Sequence, residues 1–547
     1  MAREFKTVGV VGLGTMGAGI VEVFARNGVD VVAVEVDGAA LDKGRANLTA
    51  STDRAVARGK LDPADRDALH ARVTFAVGLD ALRDVDLAVE AVPERLDLKR
   101  RLLAELDRVC PPGAVLATNT SSLSVTEIAV ATERPGQVIG LHFFNPAPVM
   151  RLVEVISTVV TAPEVARDVQ SLCARLGKVG VSVTDRAGFI ANALLFGYLN
   201  QAIGMYEAGY ASREDIDAAM QQGHGLPMGP LTLLDLIGLD TAYQVLETMY
   251  QRGGHDRRHA AAPLLRQMVT AGLLGRKSGQ GFYTYQAPGS SRLAPDDLTP
   301  VAGAEAGEPA PRTVGVVGSG TVATDVAEFL TAAGVDVVAV ADPGGVPAAG
   351  PGDQAVRDQA VRDQAVRDLA AVDLVVVAGP STAPVIDVAM ATGRPADVVG
   401  LHFVGGPAAQ ARLVEVVRTV RTSPTAVRAA HQLCAALGRT AVTCGDRAGF
   451  IADALLLPYL NDAVRMLESN YSTADDIDAA MKLGCGYPAG PFELLDTVGL
   501  DVALAVQTAI HRELPEPGLA PAPLLRNLVT AGRLGRRTGG GFRDHAG

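Results

Sequence analysis

Residues Thr7 to Asp37 read TVGVVGLGTMGAGIVEVFARNGVDVVAVEVD, a pattern that predicts a strand, a helix and a second strand in succession. Thr7–Val11 is short, apolar and mostly β-branched, as a buried strand is. Ala18–Arg26 has the composition of a helix, and Val31–Val34 is a second apolar strand that ends in Glu35. This order is typical of the first unit of a parallel α/β sheet.

Three glycines join the first strand to the helix in the spacing G-x-G-x-x-G. Gly12 permits the tight turn, Gly14 lets a pyrophosphate approach the backbone, and Gly17 lets helix and strand pack closely. Glu35 lies 21 residues after Gly14, where an acid can accept ribose hydroxyls. We therefore predict dinucleotide binding rather than a glycine-rich turn without a ligand. The assigned residues are Gly12, Leu13, Gly14, Thr15, Met16, Gly17 and Glu35.

Composition limits the class of protein. A chain of 547 residues is too long for one core, so several domains are expected. The net charge of −12 argues against nucleic acid or an anionic membrane as a partner. No apolar run of about 18 residues predicts a membrane span, and the first strand begins too close to Met1 for a signal peptide. Five scattered cysteines predict free thiols in a cytoplasmic protein and no metal site.

The chain repeats itself. VIGLHFFNPAPVMRLVEVI recurs as VVGLHFVGGPAAQARLVEVV, and TDRAGFIANALLFGYLN recurs as GDRAGFIADALLLPYLN. RTVGVVGSGTVATDVAEFLTAAGVDVVAVADP, from Arg312 to Pro343, repeats the opening unit. We interpret the chain as a tandem duplication, with copy one ending near Phe282 and copy two near Phe542.

Each copy begins with alternating strands and helices and ends with helices, so we predict a doubly wound α/β sheet of the Rossmann type followed by an all-α domain, the pair repeated twice. The predicted domains are 1–184 (sheet), 185–286 (helical), 287–311 (flexible linker), 312–446 (degenerate sheet) and 447–547 (second helical). The further strands predicted in copy one are Val73–Ala76, Leu87–Ala91, Val115–Thr118, Val138–His142, Leu152–Ile156 and Val179–Val183.

Copy two has lost parts of the predicted dinucleotide site. Most of the stretch between Leu41 and Asn119 has no counterpart, and a DQAVR repeat stands there instead. Ala323 replaces Gly17 and Ala341 replaces Glu35, with Asp342 one place late. We therefore predict that the second site no longer holds a dinucleotide.

A histidine and a carboxylate follow each other on neighbouring strands of copy one. His142 ends an apolar strand, where functional groups of parallel sheets collect. Glu154 lies twelve residues on, and antiparallel or adjacent strands would bring the two together. A carboxylate that accepts from one imidazole nitrogen leaves the other as a general base. The alternative is a structural histidine beside a solvated glutamate, which the pair alone does not exclude.

Polar groups that follow other strands favour a site. ATNTSSL (Ala117 to Leu123) and AVPERLDLK (Ala91 to Lys99) each follow an apolar strand. Asn192 lies early in the first helix of the helical domain, about four residues in. These loops are predicted to converge on the dinucleotide crevice.

Copy one resembles the NAD-dependent L-3-hydroxyacyl-CoA dehydrogenases, of the 3-hydroxybutyryl-CoA dehydrogenase type, from about Thr7 to Tyr285. The glycine fingerprint, AVPE, NTSSL, LHFFNP, VEVI and GF-x-x-N occur in the family's order. The resemblance implies that His142 is the general base and Glu154 its orienting partner, with Ser121 and Asn192 near the C3 oxygen of an acyl-CoA substrate. It further implies cofactor contacts at Glu94, Lys99, Asn119, Ser121, Asn145 and Lys277.

The resemblance also places Ser51 at coenzyme A, on a helical hairpin after Leu41. Arg54, Arg58 and Lys60 beside it would attract CoA phosphates, although such a charged face is often only solvated. The reaction implied is oxidation of a 3-hydroxyacyl-CoA to a 3-oxoacyl-CoA, or its reverse, as in β-oxidation and other fatty acid metabolism.

Two other functions compete. A 3-hydroxyisobutyrate-type dehydrogenase shares the first βαβ unit, but its pattern lacks the LHFFNP and VEVI pair. A crystallin-like or scaffold duplication would keep the fold without turnover, which the complete set of His142, Glu154, Ser121 and Asn192 argues against.

The two copies are predicted to differ in role. Copy two keeps His402 and Ser381, but Glu415 follows after thirteen residues and Asp453 replaces Asn192, so we predict that it is catalytically silent. Its helical domain, about Ala448 to Phe542, keeps its landmarks. We predict that the two helical domains pair within one chain as a pseudo-dimer, with further homo-oligomerisation left open.

Overall fold

The computed structural model describes residues 3–298, 310–341, 363–379 and 381–545. Asp342 and residues 353–362 of the DQAVR repeat lie outside these ranges.

The first sheet contains eight strands in the order β3-β2-β1-β4-β5-β6-β7-β8. All neighbours are parallel except β6 and β7, which are antiparallel. This confirms the predicted doubly wound sheet, and the predicted strands agree to within one residue at each end. The strands are β1 Thr7–Val11, β2 Asp30–Glu35, β3 Val73–Val77, β4 Leu87–Glu90, β5 Val115–Thr118, β6 Val138–Phe143, β7 Leu152–Ser157 and β8 Val179–Thr184.

Helices cover both faces of this sheet and then form the first helical domain. Those of the sheet region are α1 Thr15–Arg26, α2 Gly38–Ala57, α3 Pro63–Ala71, α4 Leu96–Val109, α5 Val125–Ala129 and α6 Pro163–Arg175. Those of the helical domain are α7 Ala191–Glu207, α8 Arg213–Ala218, α9 Pro230–Ile237, α10 Leu239–Arg252 and α11 Pro263–Thr270. Helix α1 begins three residues before the predicted Ala18, because Gly14 already acts as its N-cap. Asn192 is the second residue of α7, not the fourth.

The second sheet has six strands in the order β10-β9-β11-β12-β13-β14. Strand β11 bonds to both β9 and β12, so it occupies the place that β4 and β5 share in the first sheet. The strands are β9 Thr313–Val317, β10 Asp336–Val340, β11 Leu374–Val377, β12 Val398–Val404, β13 Leu413–Arg418 and β14 Thr440–Gly445. The missing stretch of copy two accounts for the lost strands.

The helices of copy two follow the same order as those of copy one. They are α12 Gly320–Ala332, α13 Val385–Ala391, α14 Pro424–Ala436, α15 Ala452–Glu468, α16 Ala474–Cys485, α17 Pro491–Val498, α18 Leu500–Glu513 and α19 Pro523–Thr530. Among the described residues no single helix is long and apolar enough to cross a membrane.

The described part of the predicted flexible linker is folded onto the chain before it. Gln286 N–H donates to Arg292 O, and Tyr285 and Leu293 form a β-bridge. Arg213, which is 2% exposed, donates to Asp296 at 2.5 Å. Loop composition alone predicted free chain from residue 287, but an ion pair with a buried arginine holds its first part.

The compact units of the structure cut across the two copies. One unit comprises residues 1–195, 247–255 and 465–494, and the other comprises 196–246, 256–464 and 495–547. In the first unit α16 of copy two packs on β7 and β8 of copy one. In the second unit α8 of copy one packs on β14 of copy two. Each sheet is thus covered by a helix from the other copy.

Candidate active site

The glycine turn after β1 is built as the sequence predicts. Gly12 has φ of 88°, a conformation that suits glycine. A Cβ on Gly17 would lie 1.7 Å from the Gly12 carbonyl oxygen, so this position also requires glycine. Gly14 caps α1 without any side-chain hydrogen bond, which leaves the start of the helix to an anion.

Glu35 stands at the end of β2 and contacts the glycine turn directly. Its Oε1 accepts from the Leu13 N–H at 2.5 Å, and its Oε2 accepts from Val36 N–H at 3.1 Å. Helix α2 is bound to the same turn, since Asn47 Nδ2 donates to Leu13 O at 3.1 Å. A cavity of about 1170 Å³ opens here and is lined by Gly12, Leu13, Gly14, Thr15, Met16 and Glu35, among others. These residues fit a dinucleotide such as NAD.

The antiparallel pairing of β6 and β7 places His142 opposite Glu154. His142 Nδ1 and Glu154 Oε2 are 2.7 Å apart, and Glu154 is 1% exposed. Its other oxygen, Oε1, accepts from the N–H groups of Ile190 and Ala191 at 3.0 Å each. The Glu154 carboxylate accepts these hydrogen bonds, so it orients Nδ1 of His142 as the donor and leaves Nε2 as the nitrogen that faces away from Glu154. The sequence did not reveal the two backbone donors.

The loop with Ser121 is held by groups from three other elements. Asn192 Nδ2 donates to Ser121 O at 3.3 Å, and Arg252 of α10 donates to Ser122 O. Glu94 Oε1 accepts from the Thr120 hydroxyl at 2.6 Å and from Ser121 N–H at 2.9 Å. Burial opposes ionisation of Glu94, but Lys99 and these donors outweigh it and lower its pKa.

Two domain families match the chain, and each matches it twice. Residues 7–186 and 354–447 match the 3-hydroxyacyl-CoA dehydrogenase, NAD binding domain. Residues 188–285 and 449–545 match the 3-hydroxyacyl-CoA dehydrogenase, C-terminal domain. The chain belongs to the 3-hydroxyacyl-CoA dehydrogenase family. It is therefore an NAD-dependent oxidoreductase that acts on the CH–OH group of a 3-hydroxyacyl-CoA.

Individual members of the 3-hydroxyacyl-CoA dehydrogenase family match one copy or both. A 3-hydroxybutyryl-CoA dehydrogenase of Mycobacterium tuberculosis is 46% identical over 287 residues, 52% of this chain and all of its own length (100%). A 3-hydroxyadipyl-CoA dehydrogenase of Escherichia coli is 31% identical over 528 residues, 96% of this chain and 98% of its own. The crystal structure of a 3-hydroxybutyryl-CoA dehydrogenase from Escherichia coli K12 superposes with a TM-score of 0.76 at 30% identity, covering 97% of this chain and 100% of that one. Duplication thus occurs in relatives.

Several residues assigned to the cofactor of this dehydrogenase have other contacts. Lys99 is fully buried, and its Nζ lies 2.6 Å from Glu90 and 3.5 Å from Glu94. Thr118 also donates to Glu90, at 2.7 Å. Lys99 therefore ties α4 to the end of β4, and Glu90 joins that end to β5 through Thr118. The position of a lysine near a helix start did not predict this role. Sequence reasoning also missed Glu90, which looked like any strand residue.

The remaining predicted cofactor residues are spread over the two units. Asn119 Oδ1 accepts from Phe143 N–H at 2.9 Å, so it ties β5 to β6 next to the dyad. Asn145 precedes a cis proline. Lys277 pairs with Asp240 in the second unit. Of the residues named here, none lines the cavity beside Glu35.

The predicted coenzyme A position lies on a helical hairpin, α2 and α3. Ser51 hydrogen-bonds to Glu22 on α1, and burial raises the pKa of Glu22 despite that bond. Arg54, Arg58 and Lys60 are exposed. The hairpin confirms the predicted helices, while the CoA contacts stay a prediction.

The second copy keeps a dyad, and the part of it that the structure describes has a changed glycine turn. His402 Nδ1 lies 2.6 Å from Glu415 Oε2, because the antiparallel register of β12 and β13 still pairs the two residues although one more residue separates them. The cavity beside Gly318 and Ser319 has a volume of about 60 Å³. Ala323 supplies the Cβ that Gly17 avoids, and the turn has changed accordingly. Helix α12 begins at Gly320, and the positive φ is at Gly320 instead of Gly318.

Proposed function

We propose that copy one oxidises (S)-3-hydroxyacyl-CoA to 3-oxoacyl-CoA, or catalyses the reverse, with His142 as general base and Glu154 as its orienting partner. The observation that carries this proposal is the bond between His142 Nδ1 and a buried, doubly anchored Glu154. It leaves Nε2 as the nitrogen that can exchange a proton with substrate.

The chain's own residues account for the proton transfer. His142 Nε2 takes the proton of the 3-hydroxyl, and the imidazolium that forms is stabilised by Glu154. In reduction the same nitrogen returns the proton to the C3 oxygen. Ser121 and Asn192 donate hydrogen bonds that stabilise negative charge on that oxygen, a contribution of about 3–4 kcal/mol for one such donor. The glycine turn and Glu35 would hold NAD, and the chemistry that NAD would supply there is hydride transfer.

The acyl group is proposed from the named relatives. The relative that spans both copies is named for 3-hydroxyadipyl-CoA, and several that match copy one are named for 3-hydroxybutyryl-CoA. We propose substrates of butyryl to adipyl size. The proposed roles of Ser51 at coenzyme A and of Glu94, Lys99, Asn119, Asn145 and Lys277 near the cofactor rest on the family resemblance.

The test of this function is an initial-rate panel of 3-oxoacyl-CoA substrates with NADH and NADPH. Turnover with NADH is expected, together with a large preference over NADPH, because Glu35 would repel a 2′-phosphate at hydrogen-bonding range. The preference should shrink in Glu35→Ala. Equal efficiency of NADPH with the unmodified protein contradicts the cofactor assignment, and no turnover of any 3-oxoacyl-CoA contradicts the function.

Copy two is proposed to be catalytically silent, and its charges supply a reason. His402 lies between Glu415, at 2.6 Å from Nδ1, and Asp453, at 3.9 Å from Nε2. Burial alone would lower the pKa of His402, but the hydrogen bond to Glu415 and the charges of both acids raise it above its ordinary value. The raised pKa favours the imidazolium form of His402, and an imidazolium has no free nitrogen to act as a base.

Asp453→Asn is expected to lower the pKa of His402, since it removes one of the two charges that favour the imidazolium. Because the pKa of His402 is higher in the folded chain than in the unfolded chain, where it is about 6.5, protonation of His402 stabilises the fold at pH values below about 6.5. This stabilisation is lost as the pH rises through the pKa of the folded state. The variant should therefore lose stability at acid pH relative to alkaline pH. NMR titration of His402 measures the shift, and Asn192→Asp in copy one provides the reciprocal variant. An unchanged His402 pKa would remove this explanation.

We further propose that the two helical domains pair within the chain as a pseudo-dimer. The proposal is supported in the second unit by contacts between α7 and α15. Gln201 Nε2 donates to Ala454 O at 2.7 Å, and the rings of Tyr198 and Tyr459 are 6.3 Å apart. Arg258 and Asp462 also form an ion pair.

Five free cysteines support the proposed reducing, cytoplasmic location.

A further inference from the structure

One peptide group links the proposed dyad of copy one to a tyrosine of copy two. The Phe189 carbonyl oxygen accepts from the Tyr471 hydroxyl at 2.8 Å. The N–H of the same peptide group, that of Ile190, donates to Glu154 Oε1 at 3.0 Å. Glu154 in turn accepts from His142 at 2.7 Å. Hydrogen bonds in such a chain polarise and orient one another.

The backbone at this peptide is held in an uncommon conformation. Phe189 has φ of 47°, in the left-handed region where a bulky side chain costs free energy. Such a conformation persists only where its surroundings hold it. Phe450, the corresponding residue of copy two, has φ of 49° without a bond from Tyr210 to its carbonyl, so the tyrosine does not set this angle. The Tyr471 hydroxyl instead orients the peptide group that the left-handed turn presents.

Tyr471 is itself fixed against the sheet of copy one. It is 7% exposed, and its carbonyl accepts from Thr184 N–H at 3.3 Å. The adjacent Ser472 hydroxyl donates to Ser182 O at 2.6 Å. The Arg186 guanidinium lies 5.1 Å from the centre of the tyrosine ring. Burial raises the pKa of Tyr471, with the charge of Glu154 acting in the same direction, so its hydroxyl remains a donor.

The corresponding tyrosine of copy one makes a different bond. Tyr210 donates to Gly445 O at 2.8 Å, not to the Phe450 carbonyl. Gly445 stands where copy one has Thr184, and a Cβ there would lie 3.0 Å from the Tyr210 ring. Glu415 still accepts from Ile451 and Ala452, at 2.9 and 2.8 Å. The link from tyrosine through the peptide to the glutamate therefore exists at the copy-one dyad and not at the copy-two dyad.

We propose that Tyr471 of copy two is a positioning residue for the His142–Glu154 dyad of copy one. It acts through the peptide group between Phe189 and Ile190 and does not contact the reacting atoms. This inference rests on the proposed function of the dyad. It gives copy two a part in catalysis that does not require a second working site.

The test compares Tyr471→Phe with Tyr210→Phe in the full-length chain. Each substitution removes one buried hydroxyl that donates to a backbone carbonyl, so the two have matched effects on stability. Tyr471→Phe should lower kcat by about 3- to 10-fold, the size of one net hydrogen bond, with the KM values for NADH and acyl-CoA unchanged. Tyr210→Phe should leave kcat unchanged.

An NMR signal provides a second readout. The Nδ1 proton of each histidine that faces its glutamate is expected far downfield. In Tyr471→Phe the His142 signal should move while the His402 signal stays. Unchanged kcat and an unmoved His142 signal, or equal losses of kcat in both variants, overturn the proposal. His142→Ala distinguishes a failure of the proposed dyad function from a failure of the proposed role of Tyr471. If that variant keeps its activity, the dyad function is contradicted, whatever the effects of the tyrosine variants.

Discussion

His142→Ala is expected to lower kcat by about 10²–10⁴-fold, the usual effect of removing a positioned general base. His142 is 8% exposed, and the hydrogen-bond partner of its imidazole is Glu154. Alanine therefore removes the base without leaving several partners unsatisfied, and the fold should survive. Steady-state rates of acetoacetyl-CoA reduction with NADH, together with a circular dichroism melt, measure the two effects.

His402→Ala is the matched control for this prediction. It removes the corresponding imidazole, which also bonds a buried glutamate, Glu415. Its kcat should stay within about 2-fold of the parent, because Ala323 and Asp453 stand in copy two where copy one has Gly17 and Asn192. Equal damage from both substitutions would mean that two sites work.

Ending the chain at Gln286 is expected to produce a protein that aggregates or homodimerises. The compact unit that holds the dyad includes residues 465–494, and truncation removes them. Helix α16 would leave β7 and β8 without their cover, and Tyr471 would be lost from Phe189. Exposing one large apolar side chain costs about 1.5–3 kcal/mol. The summed cost for a few such residues therefore exceeds the free energy of unfolding of many domains.

Analytical ultracentrifugation and urea unfolding of the truncated protein measure this outcome. Co-expression of residues 287–547 as a separate chain provides the control and should restore solubility. A truncated protein that is monomeric, soluble and as stable as the parent would show that pairing within the chain is not what copy two provides.

The local features of copy one were predictable because they depend on short stretches. The turn from Gly12 to Gly17 requires glycine at position 17, because a Cβ there would collide with the Gly12 carbonyl oxygen. The period of apolar residues predicted the strands, and the antiparallel pairing that joins His142 to Glu154 follows from a turn between neighbouring strands. The family order of motifs then predicted the reaction class.

Side-chain partners inside the loops were predicted less well. The family resemblance placed Lys99 and Glu94 of AVPERLDLK along the cofactor, and the structure shows Lys99 buried against Glu90. A sequence does not reveal which charge finds a buried partner, because that partner comes from a neighbouring strand. The folded start of the predicted linker has the same cause, an ion pair between Arg213 and Asp296.

By itself the sequence determined the duplication, the two sheets, the glycine cradle, the decay of the second cradle and the histidine–glutamate pair. Each of these features depends on residues that are neighbours along the chain or on adjacent strands. Only the tertiary structure decided that helix α16 of copy two covers the sheet of copy one and that Tyr471 reaches Phe189. Tyr471 and Phe189 are 282 positions apart in the sequence. Such distant contacts depend on which apolar faces pack against each other in the folded chain, and a local sequence pattern does not predict that packing.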